Sequence, residues 1–225
     1  MQHTIEENAS HHAGLMDQIY KRQRFIYDAS RKYYLLGRDQ LISTLNAPEN
    51  STILEVGCGT GRNLICSAKQ YQSAAVYGVD ISTEMLKTAG RSIYKANLAQ
   101  RINLAKGDAT NFNPQTTFGI NQFDRIFISF SLSMIPSWQD ALNHSLSLLN
   151  PAGELHIVDF GKCDQLPKPF KTALYKWLAL FHVHPIPNMP EKLQAIAKQN
   201  SCSCEVKFLY GAYSLLASFK KTPTQ

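Results

Sequence analysis

Five short β-branched or aromatic runs, most of them separated by segments of helical periodicity, constrain this chain more than any other feature of its sequence. They are 52–56, 75–79 ending on Asp80, 102–105 leading into Gly107-Asp108, 124–130 and 154–160. Helical spacing fills 62–70, 83–97 and 138–149 between them. Runs this apolar suit strands buried on both faces, and parallel neighbours need the crossover that a helix supplies. The pattern predicts an α/β fold around a largely parallel sheet.

The flanks read differently. From Leu15 to Leu45 apolar residues recur at Ile19, Phe25-Ile26, Tyr33, Leu36 and Leu41-Ile42, which predicts one or two amphipathic helices. After Phe160, five prolines (Pro167, Pro169, Pro185, Pro187 and Pro190) punctuate a stretch whose centre, 170–183, is helical. The runs 205–210 and 213–219 around Gly211-Ala212 predict a β-hairpin. A length of 225 residues suits one domain. We divide it into a helical N-terminal cap (1–46), a ligand-binding core (47–160), an insertion acting as a lid (161–192), and a helix end with the hairpin (193–225).

With 44% hydrophobic and 18% charged residues the chain is not globally disordered. No window approaches the roughly 20 apolar residues of a membrane span. The segment 1–10 carries Glu6 and Glu7 and no apolar stretch of a secretory leader, so a cytoplasmic location is expected. Five cysteines make no disulfide framework, and Cys202, Cys204, His11-His12 and the pair His182 and His184 lack further ligands at metal spacing, so no metal is expected. The net charge of +6 is unevenly spread: residues 161–225 hold nine basic against three acidic side chains, whereas 41–160 hold eight against nine. Lys21, Arg22, Arg24, Arg31, Lys32 and Arg38 form a second basic cluster. Such stretches suit an anionic surface or polyanion, or are merely a solvated basic face.

A strand feeding Gly57-Cys-Gly-Thr-Gly61 and then a helix makes a tight turn that brings backbone close to a ligand. The dinucleotide fingerprint needs its third small residue one position later, where Arg62 stands, which disfavours NAD and FAD. Asp80, at the end of the next strand, is placed to accept two ribose hydroxyls. Asp108, past the third strand, is placed for the exocyclic amine of an adenine.

Ile53-Leu-Glu-Val-Gly-Cys-Gly-Thr-Gly61, Gly78-Val-Asp-Ile-Ser82, Gly107-Asp-Ala109 and Leu149-Asn-Pro-Ala-Gly-Glu-Leu155 together resemble the ordered motifs of the class I S-adenosylmethionine-dependent methyltransferases. The resemblance implies a Rossmann-like, seven-stranded, mostly parallel sheet with an antiparallel last strand. It implies S-adenosyl-L-methionine as cofactor and S-adenosyl-L-homocysteine as product. Glu55 and Gly57 would lie near the methionine moiety, Asp80 on the ribose, and Asp108 with Ala109 at the adenine. Gly59, Gly61, Asn63, Ile81, Met85 and Ser129 complete the implied cofactor set. The Asn-Pro-Pro-Tyr type motif of many base and glutamine N-methyltransferases is absent after the fourth strand, where Ser129-Phe-Ser-Leu-Ser-Met134 stands, so nucleic acid is not the expected partner.

For the acceptor, Met16 to Asp39, with Tyr33-Tyr-Leu-Leu-Gly-Arg-Asp39 at its close, is similar to the N-terminal region of bacterial diacylglyceryl-homoserine N-methyltransferases. This implies three successive N-methylations that complete a betaine-lipid head group. It also implies a lipid substrate at an anionic membrane, a peripheral position on the membrane's inner face, and an enzyme supplying diacylglyceryl-homoserine as partner. A zwitterionic head group needs a cation for its carboxylate and aromatic faces for its amine. Arg24, Lys32 and Arg38 are candidates for the first, and Tyr20, Tyr27, Tyr33 and Tyr34 for the second; Tyr34 and Arg38, at i and i+4 of a helix, are preferred. A tyrosine, His144 or solvent would take the amine's proton. On a helix, Phe170, Leu174, Trp177, Leu178 and Phe181 share a face beside Lys168, Lys171 and Lys176, as in an interfacial helix or a lid packed on its own core. Phosphatidylethanolamine and quinone precursors are the alternative acceptors, and a non-catalytic cofactor-binding module is the remaining reading.

Overall fold

A computed structural model describes residues 34–180 and 183–221. Its first element is α1 (Arg38–Ser43), followed by β1 (Thr52–Val56), α2 (Arg62–Gln70), β2 (Ala75–Asp80), α3 (Thr83–Lys95) and β3 (Ile102–Lys106). Then come α4 (Pro114–Phe118), β4 (Phe123–Ser129), a 3-10 turn (Leu132–Met134), α5 (Trp138–Ser147) and β5 (Leu149–Phe160). The chain continues through α6 (Lys168–Ala179), α7 (Met189–Gln199), β6 (Cys202–Leu209) and β7 (Ser214–Lys221). The seven strands form one sheet in the order β3-β2-β1-β4-β5-β7-β6. Neighbours from β3 to β5 are parallel, and β7 runs antiparallel to both β5 and β6. This is the Rossmann-like sheet with an antiparallel last strand that the motif order implies.

Strand runs without polar interruption are buried on both faces, and the side chains alternate between two cores. Ile53, Val76, Phe127 and Phe160 join Leu64, Leu174 and Leu178 on one side. Leu54, Ile126, Ile128, Leu155 and Phe219 join Leu142, Leu193 and Ile196 on the other. Two helices are opened by side-chain caps: Ser82 Oγ accepts the Met85 N–H at 3.3 Å to open α3, and Asn113 Oδ1 accepts from Gln115 and Thr116 to open α4, whereas Ser137 and Asn188 precede α5 and α7 without a side-chain cap bond. At the strands' N-terminal edge, Asp124 accepts the Thr52 N–H and hydroxyl and the Asn150 amide. Burial alone would raise the Asp124 carboxyl, but these donors and Arg125 hold it below its ordinary value.

Several boundaries differ from expectation. The fifth strand starts at Leu149 rather than Glu154, because Phe123 pairs with Leu149 before a register shift carries the ladder past Asn150-Pro-Ala-Gly153. Helix α6 ends at Ala179, short of Val183. The short α4 and the 3-10 turn have no amphipathic period, being too brief to show one. Of the one or two helices expected between Leu15 and Leu45, the described part is interrupted: the chain leaves helical geometry at Leu35, turns through Gly37 at φ +103°, and restarts as α1.

One buried titratable group sets a pH dependence of the fold. His156 on β5 is 3% exposed, with Nε2 3.2 Å from Glu154 Oε2. Burial, aided by the Arg125 and Lys220 charges and opposed by Glu154, lowers its pKa to about 4. The unfolded chain therefore binds more protons than the folded one between about pH 6.5 and 4, so this stabilisation is complete above the unfolded value and is lost as pH falls. Asp159, raised to about 6 chiefly by burial, contributes the opposite slope between about pH 4 and 6. Comparing wild type with His156→Gln cancels the Asp159 contribution. Denaturant titrations are expected to show wild type losing up to ~3 kcal/mol relative to the variant from pH 6.5 to 4. A difference that does not vary with pH would refute the assignment.

Candidate active site

The strands β1 to β5 all end at one sheet edge, and the strand order reverses between β1 and β4, which is where open α/β sheets place ligands. At the end of β1 the chain enters the glycine loop. Gly57 has φ +73°, and a Cβ there would lie 2.7 Å from Ser131 Cβ. Its N–H and that of Cys58 donate to Val79 O at 2.8 and 3.0 Å, binding the loop to β2. Gly61, at φ +79°, opens α2 without a side-chain cap and packs so closely on Ala89 that a Cβ would sit 3.0 Å away. The two positions thus need glycine both for the left-handed backbone and for want of space.

Asp80, 9% exposed, organises the loop: Oδ2 accepts the Gly59 N–H at 2.7 Å and Oδ1 accepts the Ser82 N–H at 2.9 Å. Glu55, 1% exposed, accepts the Asn63 amide from α2 at 2.8 Å. A small cleft lined by Leu35, Arg38, Glu55, Gly57, Asn63 and Ser129 opens here. Ser129 Oγ, at the end of β4, is buried with no hydrogen-bond partner among the described residues. A carboxylate-lined cleft with loop glycines on one wall and an orphaned hydroxyl on its floor fits a ligand carrying an amino acid and a ribose. Glu55, Asn63 and Ser129, which line the cleft, are the residues that would hold it, with Asp80 next to them through its bond to the lining residue Gly59. The Cys58 thiol is pushed well up by burial, then by Asp80 and Glu55, so it stays protonated and inert.

Not every expected contact lies at the cleft. Met85 is buried at 4% in the core, and Ile81 is half-buried beside Asp80. Asp108 spends Oδ1 on the Thr110 N–H and hydroxyl, a turn at the end of β3, and the half-buried Ala109 packs against the second core. His144 lies on α5, its Nε2 2.8 Å from Phe112 O, so it ties α5 to the loop after β3 and is not among the cleft-lining residues.

The expected pairing of Tyr34 with Arg38 on one helix face does not form, because the turn at Leu35–Gly37 separates them. Arg38 is buried and lines the cleft, its Nε donating to Leu35 O at 3.2 Å. Tyr34 points the other way: its ring meets Trp177 edge-on at 4.3 Å and stacks with Phe160 at 6.4 Å. Tyr213 Oη donates to Tyr34 O at 2.8 Å. Tyr34, Leu36, Leu166, Phe170, Leu174 and Trp177, with Tyr210 and Tyr213, line an apolar groove of roughly 600 Å³. Residues 34–38 therefore form a partition: Leu35 and Arg38 face the cleft, and Tyr34 and Leu36 face the groove. Leu35 and Ser131 went unnoticed in the sequence, and only the glycine at 37 hints that the segment turns. Tyr20, Arg24, Tyr27, Lys32, Tyr33 and Phe181 lie outside the described residues.

A family model described as a methyltransferase domain matches residues 53–153. The demethylmenaquinone methyltransferase of Lactiplantibacillus plantarum is 29% identical over 170 residues, which span 73% of this chain and 67% of that one. The ubiquinone/menaquinone biosynthesis C-methyltransferase UbiE of Cereibacter sphaeroides is 28% identical over 179 residues, spanning 77% and 68%. A solved S-adenosylmethionine-dependent methyltransferase from Aquifex aeolicus superposes with a TM-score of 0.65 at 20% identity, over 90% of this chain and 98% of that one, a likeness of fold. The two relatives are named for quinone pathways, so they do not support the narrower resemblance to a betaine-lipid enzyme. Motif order, sheet, cleft and relatives agree on the cofactor and the reaction class: the chain is a class I S-adenosylmethionine-dependent methyltransferase.

Proposed function

We propose that the acceptor is a lipid with an apolar tail, and specifically that the enzyme methylates the amine of diacylglyceryl-homoserine in successive steps at a membrane surface. The observation that carries this reading is the partition at residues 34–38, with a cofactor cleft on one side and an aromatic-walled groove on the other. A tail lying in the groove brings its polar head over the partition toward Arg38, whose guanidinium suits a carboxylate. Tyr34 and Trp177, which line the groove beside the partition, offer aromatic faces to an amine that becomes quaternary. When bound, S-adenosylmethionine supplies a methyl group already activated on a sulfonium, so the protein's task is to align the acceptor and exclude water. Among the described residues no helix is long and apolar enough to cross a membrane.

The relatives favour a second reading, C-methylation of a quinone precursor, whose prenyl tail suits the same groove. One assay separates the two. With labelled S-adenosylmethionine in detergent, diacylglyceryl-homoserine is expected to yield mono-, di- and trimethylated products, and a demethylated menaquinol none. Label appearing only on the quinol establishes the second reading instead. Arg38→Gln is expected to raise KM for the lipid roughly 10-fold or more through loss of a charge-assisted contact.

A further inference from the structure

We infer that the outer shoulder of α6 and the tip of the β6–β7 turn form a docking face for an anionic bilayer. The acceptor's tail would pass from lipid into the groove without crossing water. This purpose rests on the lipid-acceptor reading above, whereas the docking itself does not.

Helix α6 has two apolar sides. Leu174 and Leu178 are buried in the core. By helical spacing, Phe170, Ala173 and the capping Leu180 form an adjacent exposed shoulder, with Trp177 half-buried beside it and packed against the core. Phe170 is 48% and Leu180 65% exposed. The turn tip supplies Tyr210, 55% exposed, on the rim of the same groove. At that tip Tyr210, Gly211 and Ala212 all have positive φ, at +53°, +66° and +61°. Hydrogen bonds of 2.8 Å from the Gly161 N–H to Tyr213 O and from the Cys163 N–H to Ala212 O pin it. Three consecutive left-handed residues that hold an aromatic ring out into solvent are strain that packing alone does not require.

Charge selects the occupant. Lys168 and Lys176 are exposed along α6, and the neighbouring acid, Asp164, is paired with Lys171 at 2.8 Å. The last third of the chain carries nine basic against three acidic residues. Apolar side chains with Lys176 beside them and Lys168 further round the helix match a lipid surface with negative head groups, where they lie at the acyl boundary while the ammonium groups meet phosphate.

Sedimentation with sucrose-loaded vesicles tests this. Wild type is expected to bind phosphatidylglycerol–phosphatidylcholine vesicles at least 10-fold more tightly than phosphatidylcholine alone, and to release as salt rises. Lys168→Gln with Lys176→Gln is expected to weaken binding roughly 30-fold, at about tenfold or less per lysine. Leu180→Ser weakens it independently of salt. None of these exposed residues lines the cleft or groove, so methylation in detergent stays at the wild-type rate and shows that the variants fold. Equal binding to both vesicle types, or unchanged binding by both variants, overturns the proposal. So does a lipid-free dimer abolished by Leu180→Ser, which would make the face a contact between copies. Vesicle binding as expected, with no lipid methylated in detergent, refutes the acceptor reading and leaves the docking face standing.

Discussion

Asp80→Ala is expected to weaken S-adenosylmethionine binding by roughly 100-fold or more, measured by isothermal titration calorimetry. Two losses combine. The carboxylate that would accept ribose hydroxyls disappears, and charge-assisted hydrogen bonds of this kind contribute about 1.5–3 kcal/mol each. The Gly59 and Ser82 N–H groups also lose the acceptors they have at 2.7 and 2.9 Å, which loosens the middle of the glycine loop and the turn that opens α3, while the Gly57 and Cys58 bonds to Val79 O remain. Asp80→Asn keeps one acceptor and is expected to lose less. A matching set on Asp108 separates recognition from local structure, since its Oδ1 serves the Thr110 turn. Unchanged affinity in Asp80→Ala would show that neither this carboxylate nor the loop bonds it accepts contribute to cofactor binding.

The position of Asp80 shows what a sequence exposes. A carboxylate at the end of a short β-branched run, following a glycine loop after the preceding run, has its position fixed by strand period and crossover length alone. Glu55 follows only from the resemblance of 53–61 to the methyltransferase motif, and its apolar neighbours Leu54 and Val56 fall on the opposite face of the sheet. The acceptor side was less legible because its geometry depends on a single backbone angle. Continuous helical spacing across Tyr34 and Arg38 reads as one face, yet Gly37 at φ +103° breaks the helix and sends the two side chains to different compartments. A Cβ at Gly37 would lie 3.1 Å from Leu209 Cδ1 and 3.2 Å from Val158 Cγ2, so the turn is held by β6 and β5, more than 100 residues away in sequence. Spacing rules see only local period, and this constraint is tertiary. Helix α6 shows the same limit: its sequence left a lid packed on the core and an interfacial helix equally open, and the folded helix buries Leu174 and Leu178 while leaving Phe170 and Leu180 exposed.

Gly57→Ala is the strongest test of how the cofactor loop is coupled to the segment after β4. The substitution imposes an L side chain at φ +73°, which costs roughly 1–2 kcal/mol. It also places Cβ 2.7 Å from Ser131 Cβ, and overpacking of this kind adds about 1–3 kcal/mol. Ser131 cannot simply swing aside, because the clash involves its Cβ as well as the hydroxyl, and Oγ donates to Val56 O at 3.0 Å. The segment is further held through the Ser133 N–H, which donates to buried Asp159 at 3.0 Å. Relief must therefore come from the glycine loop, whose N–H groups at 57 and 58 both bind Val79 O. A fall in Tm of roughly 10 °C is expected, at about 2–4 °C per kcal/mol for a domain of this size, together with weakened cofactor binding. A double-mutant cycle with Ser131→Gly separates the two causes. Removing the Ser131 side chain in the Gly57→Ala background should recover the collision and leave the backbone cost, giving a coupling energy of at least about 1 kcal/mol. Additive effects of the two substitutions would show that the loop and the β4 segment move independently, and that Gly57 is required for its backbone angle alone.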